Sequence, residues 1–361
     1  MRTHRFTLAR TTTLTTLAVG SALVLAGCGD AEDDAATGGS EAGKTVTIAT
    51  HGSWAMSDEV MAAFKDKTGI TVKIQPHGDA GELTNKLVLT KDNPLADGVF
   101  GIDNTFATRA VDEGVLASYA PDEMPESAHA FMLEGDAGEA LTPIDFGDVC
   151  INVDDTWFAE KKIAPPTTFD DLTESAYKDL LVVPGATSSS PGLAFLIATI
   201  GTYGDGWKGY WEKLVDNGVK VDAGWEDAYT VDFTAGGGNG DRPIVLSYSS
   251  SPPFTVPEGG DTPTTSALLD TCFRQVEYAG VLEGADNPKG AQEFIDFMLG
   301  TEFQTALPDN MYVYPVDTSV ALPDGWKEWA PTSPDPVEVP ADEITENRAD
   351  WLRDWRDLTS R

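Results

Sequence analysis

Basic residues are scarce in this sequence. Its 361 residues include 24 lysines and arginines against 59 aspartates and glutamates, a formal net charge of −35 at pH 7. A surface this acidic repels nucleic acid and anionic lipid, and it attracts cations. The net charge therefore argues against nucleic acid and anionic lipid as partners. It does not identify a ligand, because acidic surfaces also keep exported proteins soluble.

Long apolar runs are lacking beyond the amino terminus. There, three arginines precede an apolar segment, residues 14–27, that is too short to span a bilayer and predicts a signal peptide over residues 1–27. The small residues before Cys28 resemble a bacterial lipobox, which implies cleavage before Cys28 and its acylation. Two acyl chains on one cysteine would be the chain's only attachment to the membrane. The alternative is an ordinary secretory signal in which Cys28 occurs by chance.

The segment that follows the leader has almost no apolar mass. Residues 28–44 are mostly glycine, alanine, serine and acid, so they cannot bury enough surface to fold, and we interpret them as a flexible tether. The rest of the chain, residues 45–361, is long enough for two lobes of ordinary size. The sequence therefore predicts an extracytoplasmic protein held at the cell membrane by lipid.

Cysteine and histidine are scarce as well. The chain has three cysteines and four histidines, and it lacks the Cys-x-x-Cys spacing that is typical of zinc sites, so we expect no metal. Cys28 is assigned to lipid, which leaves Cys150 and Cys272 in a compartment where disulfides persist. A disulfide between them is the favoured prediction, and two buried free thiols are the alternative.

The pattern of strands and helices predicts the first lobe over residues 45–144. A strand at residues 45–50 is followed by a helix that Ser57 can cap and Gly69 can end. Two further strand and helix pairs follow in the order that builds a parallel sheet with helices on its faces. The predicted class is therefore α/β.

Two long strand signals, near residues 145–155 and 272–279, divide the rest of the chain. Between them, residues 145–270 repeat the alternation of strands and helices and predict a second lobe. Residues 271–361 would return to the first lobe and end in an amphipathic docking helix. If the two long strands run side by side as crossovers, Cys150 and Cys272 come close enough to bridge, and the lobes form a hinged clamp.

Several short motifs follow one another in an order that is typical of one family. The motifs "GIDN", "TPIDFGDVCINVD", "SSSPGLAFL", "GWEDAY", "LSYSSSP", "MYVYPV" and "RADWLRDWRDLTSR" occur in that order within residues 45–361. Together they resemble the thiamine-binding component of an ABC importer. The resemblance implies a type II periplasmic-binding-protein fold with two crossovers. We also expect a monomer without a cofactor. Such a protein captures thiamine or its phosphates and delivers them to a permease.

Five aromatic residues are candidates for contact with a cationic heterocycle. The resemblance places Tyr248, Trp225, Tyr229 and Tyr312 at the ligand, where aromatic faces attract a thiazolium cation. Trp54, which follows the first strand, is a further candidate. The family usually has Trp where this chain has Tyr312, and its loop after the first strand is longer and carries a second Trp. Another pyrimidine or thiazole compound is therefore an alternative ligand.

Four polar residues complete the predicted site. Ser190 is expected to cap a helix with Pro191 as its first residue, while the resemblance implies ligand contact at this turn, by Ser189 most directly. Asp79 and Asp103 lie in loops that follow strands of the first lobe and would pair with the thiazolium or the amino group. Helix capping is the alternative role for each aspartate.

Two other classes of function are considered. A secreted hydrolase is disfavoured because the chain has no G-x-S-x-G motif and no base arranged near a serine, so we expect no catalytic residues. Ferric iron is disfavoured because Tyr248 has no neighbouring tyrosine. A polyamine is harder to separate from thiamine, since it would also use acids and aromatic rings.

Overall fold

The computed structural model describes residues 44–360. The predicted signal peptide, the acylated Cys28 and the tether up to residue 43 lie outside the described residues. Within residues 44–360, none of the helices combines the length and the apolar character that crossing a bilayer requires.

The first lobe alternates strands and helices, as predicted. Its elements before the first long strand are β1 (Thr45–Thr50), α1 (Asp58–Thr68), β2 (Thr71–Pro76), α2 (Ala80–Leu89), β3 (Gly98–Asp103), α3 (Ala107–Asp112), β4 (Leu116–Ala117) and α4 (Asp136–Ala140). Strand β1 runs parallel to both β2 and β3. Ser57 caps α1 by accepting a hydrogen bond from the Val60 N–H, and Gly69 ends it at φ 73°, where a side chain would be strained. Both helix boundaries are thus confirmed.

The second lobe follows a thirteen-residue strand, β5 (Thr142–Asp154). Its elements are α5 (Asp155–Lys161), β6 (Leu181–Pro184), α6 (Ser190–Tyr203), α7 (Trp207–Asp216), β7 (Lys220–Asp222), β8 (Ile244–Tyr248) and β9 (Thr265–Ala267). Strand β6 pairs in parallel with β7 and β8, while β8 pairs antiparallel with β5. Strand β5 thereby joins the strands of the second lobe to those of the first.

The second long strand, β10 (Phe273–Leu282), lies beside β5 and runs antiparallel to it. Within residues 44–360 the strands form one sheet, whose main path runs β2-β1-β3-β10-β5-β8-β6-β7. Cys150, on β5, and Cys272, just before β10, form a disulfide bond that closes 122 residues of chain. The predicted pairing of the two long strands and of the two cysteines is therefore found.

The chain after β10 visits both lobes. Its elements are α8 (Pro288–Met298), α9 (Thr301–Met311), β11 (Tyr314–Pro315), α10 (Trp326–Trp329) and α11 (Ala341–Thr359). Helices α8 and α9 pack on the first lobe, as expected for a return. Helix α11 contacts both lobes. Its Arg348 donates to the Thr105 carbonyl of the first lobe over 3.1 Å, whereas the Trp355 ring packs edge-on against Trp211 of α7, 5.5 Å between centroids, and Asp354 pairs with Lys208 at 2.5 Å. The return to the first lobe predicted for residues 271–361 thus includes part of α11, whose carboxyl-terminal half also docks on the second lobe.

Candidate functional site

A cavity of about 250 Å³ lies between the two lobes, above the paired strands β5 and β10. Both lobes and β10 contribute to its wall. Its lining residues are His51, Ser53, Ala55, Asp79, Ser190, Pro191, Trp225, Glu226, Tyr229, Tyr248, Ser251, Phe254, Gln275, Glu277, Asn310, Met311, Tyr312 and Val313. Drug-sized ligands occupy sites of roughly 300–1,000 Å³, so this cavity suits a small solute.

The end of β8 places Tyr248 in the cavity. The Tyr248 ring lies against Gly147 of β5, where an added Cβ would come within 2.9 Å of the ring, so only glycine leaves room for it. The phenol donates to Oε1 of Gln275 over 3.2 Å, and the Tyr248 carbonyl accepts from the amide of Asn152 over 3.1 Å. Both ends of this residue are thus held, with the ring facing the space between the lobes.

Trp225 stands beside Tyr248 on the second lobe. Its indole N–H donates to Oγ of Ser247 over 2.9 Å, and Ser247 in turn bonds Ser251 over 2.8 Å. The Trp225 ring stacks on Tyr229 with 5.0 Å between centroids and meets Tyr248 edge-on at 6.3 Å. Ser247 near the end of β8 and Ser251 just after it therefore fix an aromatic wall of three rings.

Two partly exposed rings stand at the rim of the cavity. Tyr312 and Phe254 are 41% and 40% exposed, and their ring centroids are 3.7 Å apart. Tyr312 ends α9 with a left-handed φ of 62°, and its carbonyl accepts from Oγ of Ser250 over 2.5 Å. The serine-rich turn after β8 thus positions the rim as well as the wall.

The serine turn before α6 differs from its prediction. The cap of α6 is Ser189, whose Oγ accepts from the Gly192 N–H over 3.5 Å, and Ser190 is the first helical residue. Ser189 is buried and does not line the cavity, whereas Ser190 does. The Ser190 hydroxyl is buried and has no hydrogen-bond partner among the described residues. Ser190, rather than Ser189, is therefore the serine available to a ligand.

The two predicted aspartates have different positions. Asp79 lines the cavity, caps α2 and accepts from the backbone N–H of Trp225 through Oδ2 over 3.1 Å. Asp103 is fully buried outside the lining, and its Oδ1 accepts from Thr105 and from the Phe106 N–H. Asp79 thus combines helix capping with a place at the cavity. Asp103 instead holds the turn before α3, whose cap residue is Phe106.

Trp54 lies away from the cavity, in contrast to its prediction. Its ring packs edge-on against Phe100, with centroids 5.1 Å apart, and lies 6.0 Å from Phe303 of α9. Its neighbours Ser53 and Ala55 line the cavity instead. The short loop after β1 turns the indole into the core of the first lobe, because Phe100, Phe294 and Phe303 provide an apolar place for it.

Three carboxylates lie in a row across the middle of the sheet. On β10, Glu277 pairs in register with Asp103 on β3 and with Asp145 on β5. Among the described residues, no donor reaches either carboxyl oxygen of the fully buried Asp145. Burial, and then the charge of Glu277, raise the pKa of Asp145 well above its usual value. Burial likewise raises the pKa of Asp103 to about 7.

A histidine also contacts this row. Nε2 of His51 lies 3.4 Å from Oε1 of Glu277. Burial lowers the pKa of His51, but the charge of Glu277, with smaller effects from Asp79 and Asp103, outweighs burial and raises it. Glu277 and His51 line the cavity, so its floor is acidic while one wall is aromatic. This combination can bind a flat organic cation.

Sequence reasoning missed His51, Gln275, Glu277 and Phe254. One signal was present: "FRQVEYAGVL" places a glutamate between Val276 and Tyr278 in an otherwise apolar stretch of strand. A charged residue in the middle of a buried strand needs a partner or a ligand. His51 directly follows β1, at the end of the strand where ligands of α/β sheets bind.

The continuous sheet, the two crossing strands and the cleft between the lobes define a two-lobed solute-binding protein. Residues 59–332 match the family model described as bacterial extracellular solute-binding protein. The match spans most of the chain, and the protein belongs to that family.

Individual relatives extend the comparison. The chain is 29% identical to a thiamine-binding periplasmic protein of Brucella suis over 89% of this chain and 94% of that protein. It is 28% identical to a thiamine-binding periplasmic protein of Escherichia coli over 85% of this chain and 90% of that protein. A solved periplasmic thiamin binding protein superposes with a TM-score of 0.76 at 27% identity, covering 88% of this chain and 96% of that one.

Proposed function

We propose that this protein captures thiamine or a thiamine phosphate in the cavity between its lobes. The observation that carries the proposal is the wall of Trp225, Tyr229 and Tyr248 beside the carboxylates of Glu277 and Asp79. Thiamine joins a permanently charged thiazolium to an aminopyrimidine, so it offers a cation to the acids and two flat rings to the aromatic wall. The relatives named as thiamine-binding proteins support the same ligand.

A phosphate group would have a separate place to bind. The amino end of α6 opens onto the cavity through Ser190, whose hydroxyl has no partner among the described residues. The amino terminus of a fourteen-residue helix favours an anion. The hydroxyethyl arm of thiamine, or a phosphate on it, is the group that we place there.

A titration panel tests this function. Isothermal titration of the purified protein should detect thiamine or one of its phosphates, and the separate pyrimidine and thiazole fragments should bind more weakly. Ferric iron and spermidine serve as the competing ligands. Absence of heat with every thiamine compound, or tighter binding of iron or spermidine, would contradict the proposal.

We also propose that the protein is a lipid-anchored, monomeric component of an ABC importer and has no catalytic role. The lipobox-like sequence before Cys28 supports the anchor, and membership of a solute-binding family supports delivery to a permease. Replacing Cys28→Ala should move the protein from the membrane fraction to the soluble fraction without changing ligand affinity. Turnover of thiamine phosphates by the purified protein would contradict the non-catalytic role.

A further inference from the structure

The floor of the cavity brings together acids that cannot all be ionised at once. Glu277 has Asp145 on one side and Asp103 on the other, in register on adjacent strands. Like charges directly opposite each other in a sheet are unfavourable, and burial removes the water that would screen them. The three acids are therefore stable together only if protons neutralise part of their charge.

Asp145 is the member of this row best placed to hold a proton. It is fully buried, and no donor among the described residues reaches either of its oxygens. Asp103 holds a proton less firmly, because three hydrogen bonds from Thr105 and Phe106 converge on its Oδ1 and favour the ionised form, so that burial raises its pKa only to about 7. A proton on Asp145 would provide the donor for a hydrogen bond to Glu277, and it would remove the repulsion between the two side chains.

We propose that Glu277 is the counter-ion for the positive charge of the ligand, and that binding of the cation expels a proton from the group formed by Glu277, Asp145 and His51. The inference rests on the proposed function, since it assumes that thiamine is the ligand. The thiazolium brings a permanent positive charge close to Glu277. This charge repels the protons that are already bound to the group, so one of them is released. The easiest loss is the proton on Asp145 or the proton on His51.

Other charged and titratable groups face Glu277 from the surrounding elements. Asp103, at the end of β3, and Asp79, at the start of α2, both raise the pKa of His51. The phenol of Tyr248 also faces these acids; burial, and then Glu277, raise its pKa well above the usual value, so it stays neutral. Arg348 of α11 interacts with Asp103 and lies behind the row. Asp79 and Asp103 thus favour the proton on His51 in the empty cavity, and a cation bound beside these acids acts in the opposite direction.

The sign of the pH dependence follows from the direction of proton flow. A ligand that releases protons binds more tightly as pH rises and more weakly as pH falls through the pKa values of the free protein. Because the charge of Glu277 raises the pKa of His51, the part of this change that His51 contributes lies at higher pH than for an ordinary histidine. We expect the affinity for thiamine to rise by about threefold to tenfold between about pH 6 and about pH 8.

The test measures protons directly. Thiamine is titrated into the wild-type protein at one pH in phosphate and in Tris, whose ionisation enthalpies differ. The heats should differ by an amount equivalent to release of about half a proton to one proton per thiamine. The neutral pyrimidine fragment, which lacks the thiazolium, should bind without a buffer-dependent heat.

Variants assign the proton and the counter-ion. Asp145→Asn keeps the shape and donates an amide hydrogen bond to Glu277, so it should bind thiamine with less proton release and a flatter pH profile. Glu277→Gln should weaken thiamine binding on the order of 30-fold or more, while the neutral fragment changes little. Glu277→Asp should recover part of that loss. The exposed Glu283, just beyond β10, gives the control Glu283→Gln, which should behave as wild type.

The outcomes separate this inference from the proposed function. Failure of wild-type protein to bind thiamine and each of its phosphates overturns the function. Binding with identical heats in both buffers overturns only the proton release, and unchanged affinity in Glu277→Gln overturns only the counter-ion. Thermal unfolding provides a second check, because Asp145→Asn should melt at least as high as wild type. A clearly lower melting temperature would show that Asp145 needs no proton in the ligand-free protein.

Discussion

The Oδ2 atom of Asp79 in the first lobe accepts a hydrogen bond from the backbone N–H of Trp225 in the second lobe, over 3.1 Å. Beside it, the Glu82 N–H donates to the carbonyl of Ser188 over 3.3 Å. These contacts require the lobes to be close together, so they must break when the clamp opens. Asp79 therefore connects closure of the lobes to the position of an aromatic residue in the cavity wall.

Asp79→Ala should favour the open form and weaken thiamine binding. Loss of a hydrogen bond to a carboxylate, together with a negative charge at the cavity, should cost about 1.5–3 kcal/mol, or about 10- to 100-fold in Kd. Titration gives the affinity, and solution scattering with saturating thiamine should show a smaller decrease in radius of gyration than in wild type. Asp58→Ala removes an exposed acid at the start of α1 and is the matched control. Equal affinities in both variants would contradict the role of Asp79.

Trp225→Ala should remove most of the aromatic wall. Loss of stacking and of the cation–π attraction should cost about 2 kcal/mol, or about 30-fold in the Kd for thiamine, and Trp225→Phe should retain part of the affinity. Isothermal titration measures both variants. Trp157→Ala, which truncates a half-buried tryptophan on α5 away from the cavity, controls for loss of an indole. A loss of equal size in the control would show that the effect is not local to the site.

Reduction of the Cys150–Cys272 bond should destabilise the protein. The bond closes 122 residues, and a loop of that length corresponds to about 5 kcal/mol in the chain-entropy model. Thermal unfolding should therefore show a melting temperature lower by about 5–10 °C in reductant. The double variant Cys150→Ala, Cys272→Ala should melt at the lower temperature and no longer respond to reductant. Detection of two free thiols in the unreduced wild-type protein would exclude the bond.

Asp103 should make the ligand-free protein less stable as pH rises. Its pKa is raised to about 7 in the folded state, so the folded protein binds more protons than the unfolded chain between about pH 4 and about pH 7. The contribution is fully present below about pH 4, and up to about 4 kcal/mol is lost as pH rises through about 7.

Asp103→Asn tests this dependence. The asparagine keeps an oxygen for the bonds from Thr105 and Phe106, but it cannot ionise. Denaturant unfolding at about pH 5 and about pH 7.5 should therefore show a smaller loss of unfolding free energy in the variant than in wild type. Asp66→Asn, on the exposed side of α1, should leave the wild-type loss unchanged. An unchanged loss in Asp103→Asn would assign the pH dependence to other groups.

Much of the fold was predictable because local signals agreed with it. Ser57 and Gly69 mark the two ends of α1, as a capping serine and a terminating glycine do. The apolar stripe that includes Ile344, Trp355 and Leu358 identified α11 as a docking helix. The contact of the carboxyl-terminal half of α11 with the second lobe was not predictable. Its partner Trp211 is distant in the sequence, and an amphipathic pattern shows that a helix packs without showing where.

The parts of the site that were predictable are those built by residues close together in the sequence. Trp225 and Tyr248 fall on short motifs, and the structure brings both to the cavity. The acidic row was missed because its members come from three separate strands and meet only through the register of the sheet. Trp54 was misplaced for the same reason, since Phe303, which draws it into the core, lies far along the chain.

The register shifts of β10 lie at the residue that would contact the ligand, and this position links ligand binding to the movement of the lobes. The register of β10 against both neighbouring strands shifts immediately after Glu277 on one side and after Tyr278 on the other, while the disulfide secures the far end of the same strand pair. A strand bends most easily where its hydrogen-bond ladder is interrupted, and least easily where a disulfide holds it to its neighbour. We therefore expect the lobes to pivot at Glu277, the residue that pairs with the charge of the ligand. Neutralising Glu277 would then stiffen β10 at the pivot. The empty and the ligand-bound proteins would differ in flexibility as well as in shape.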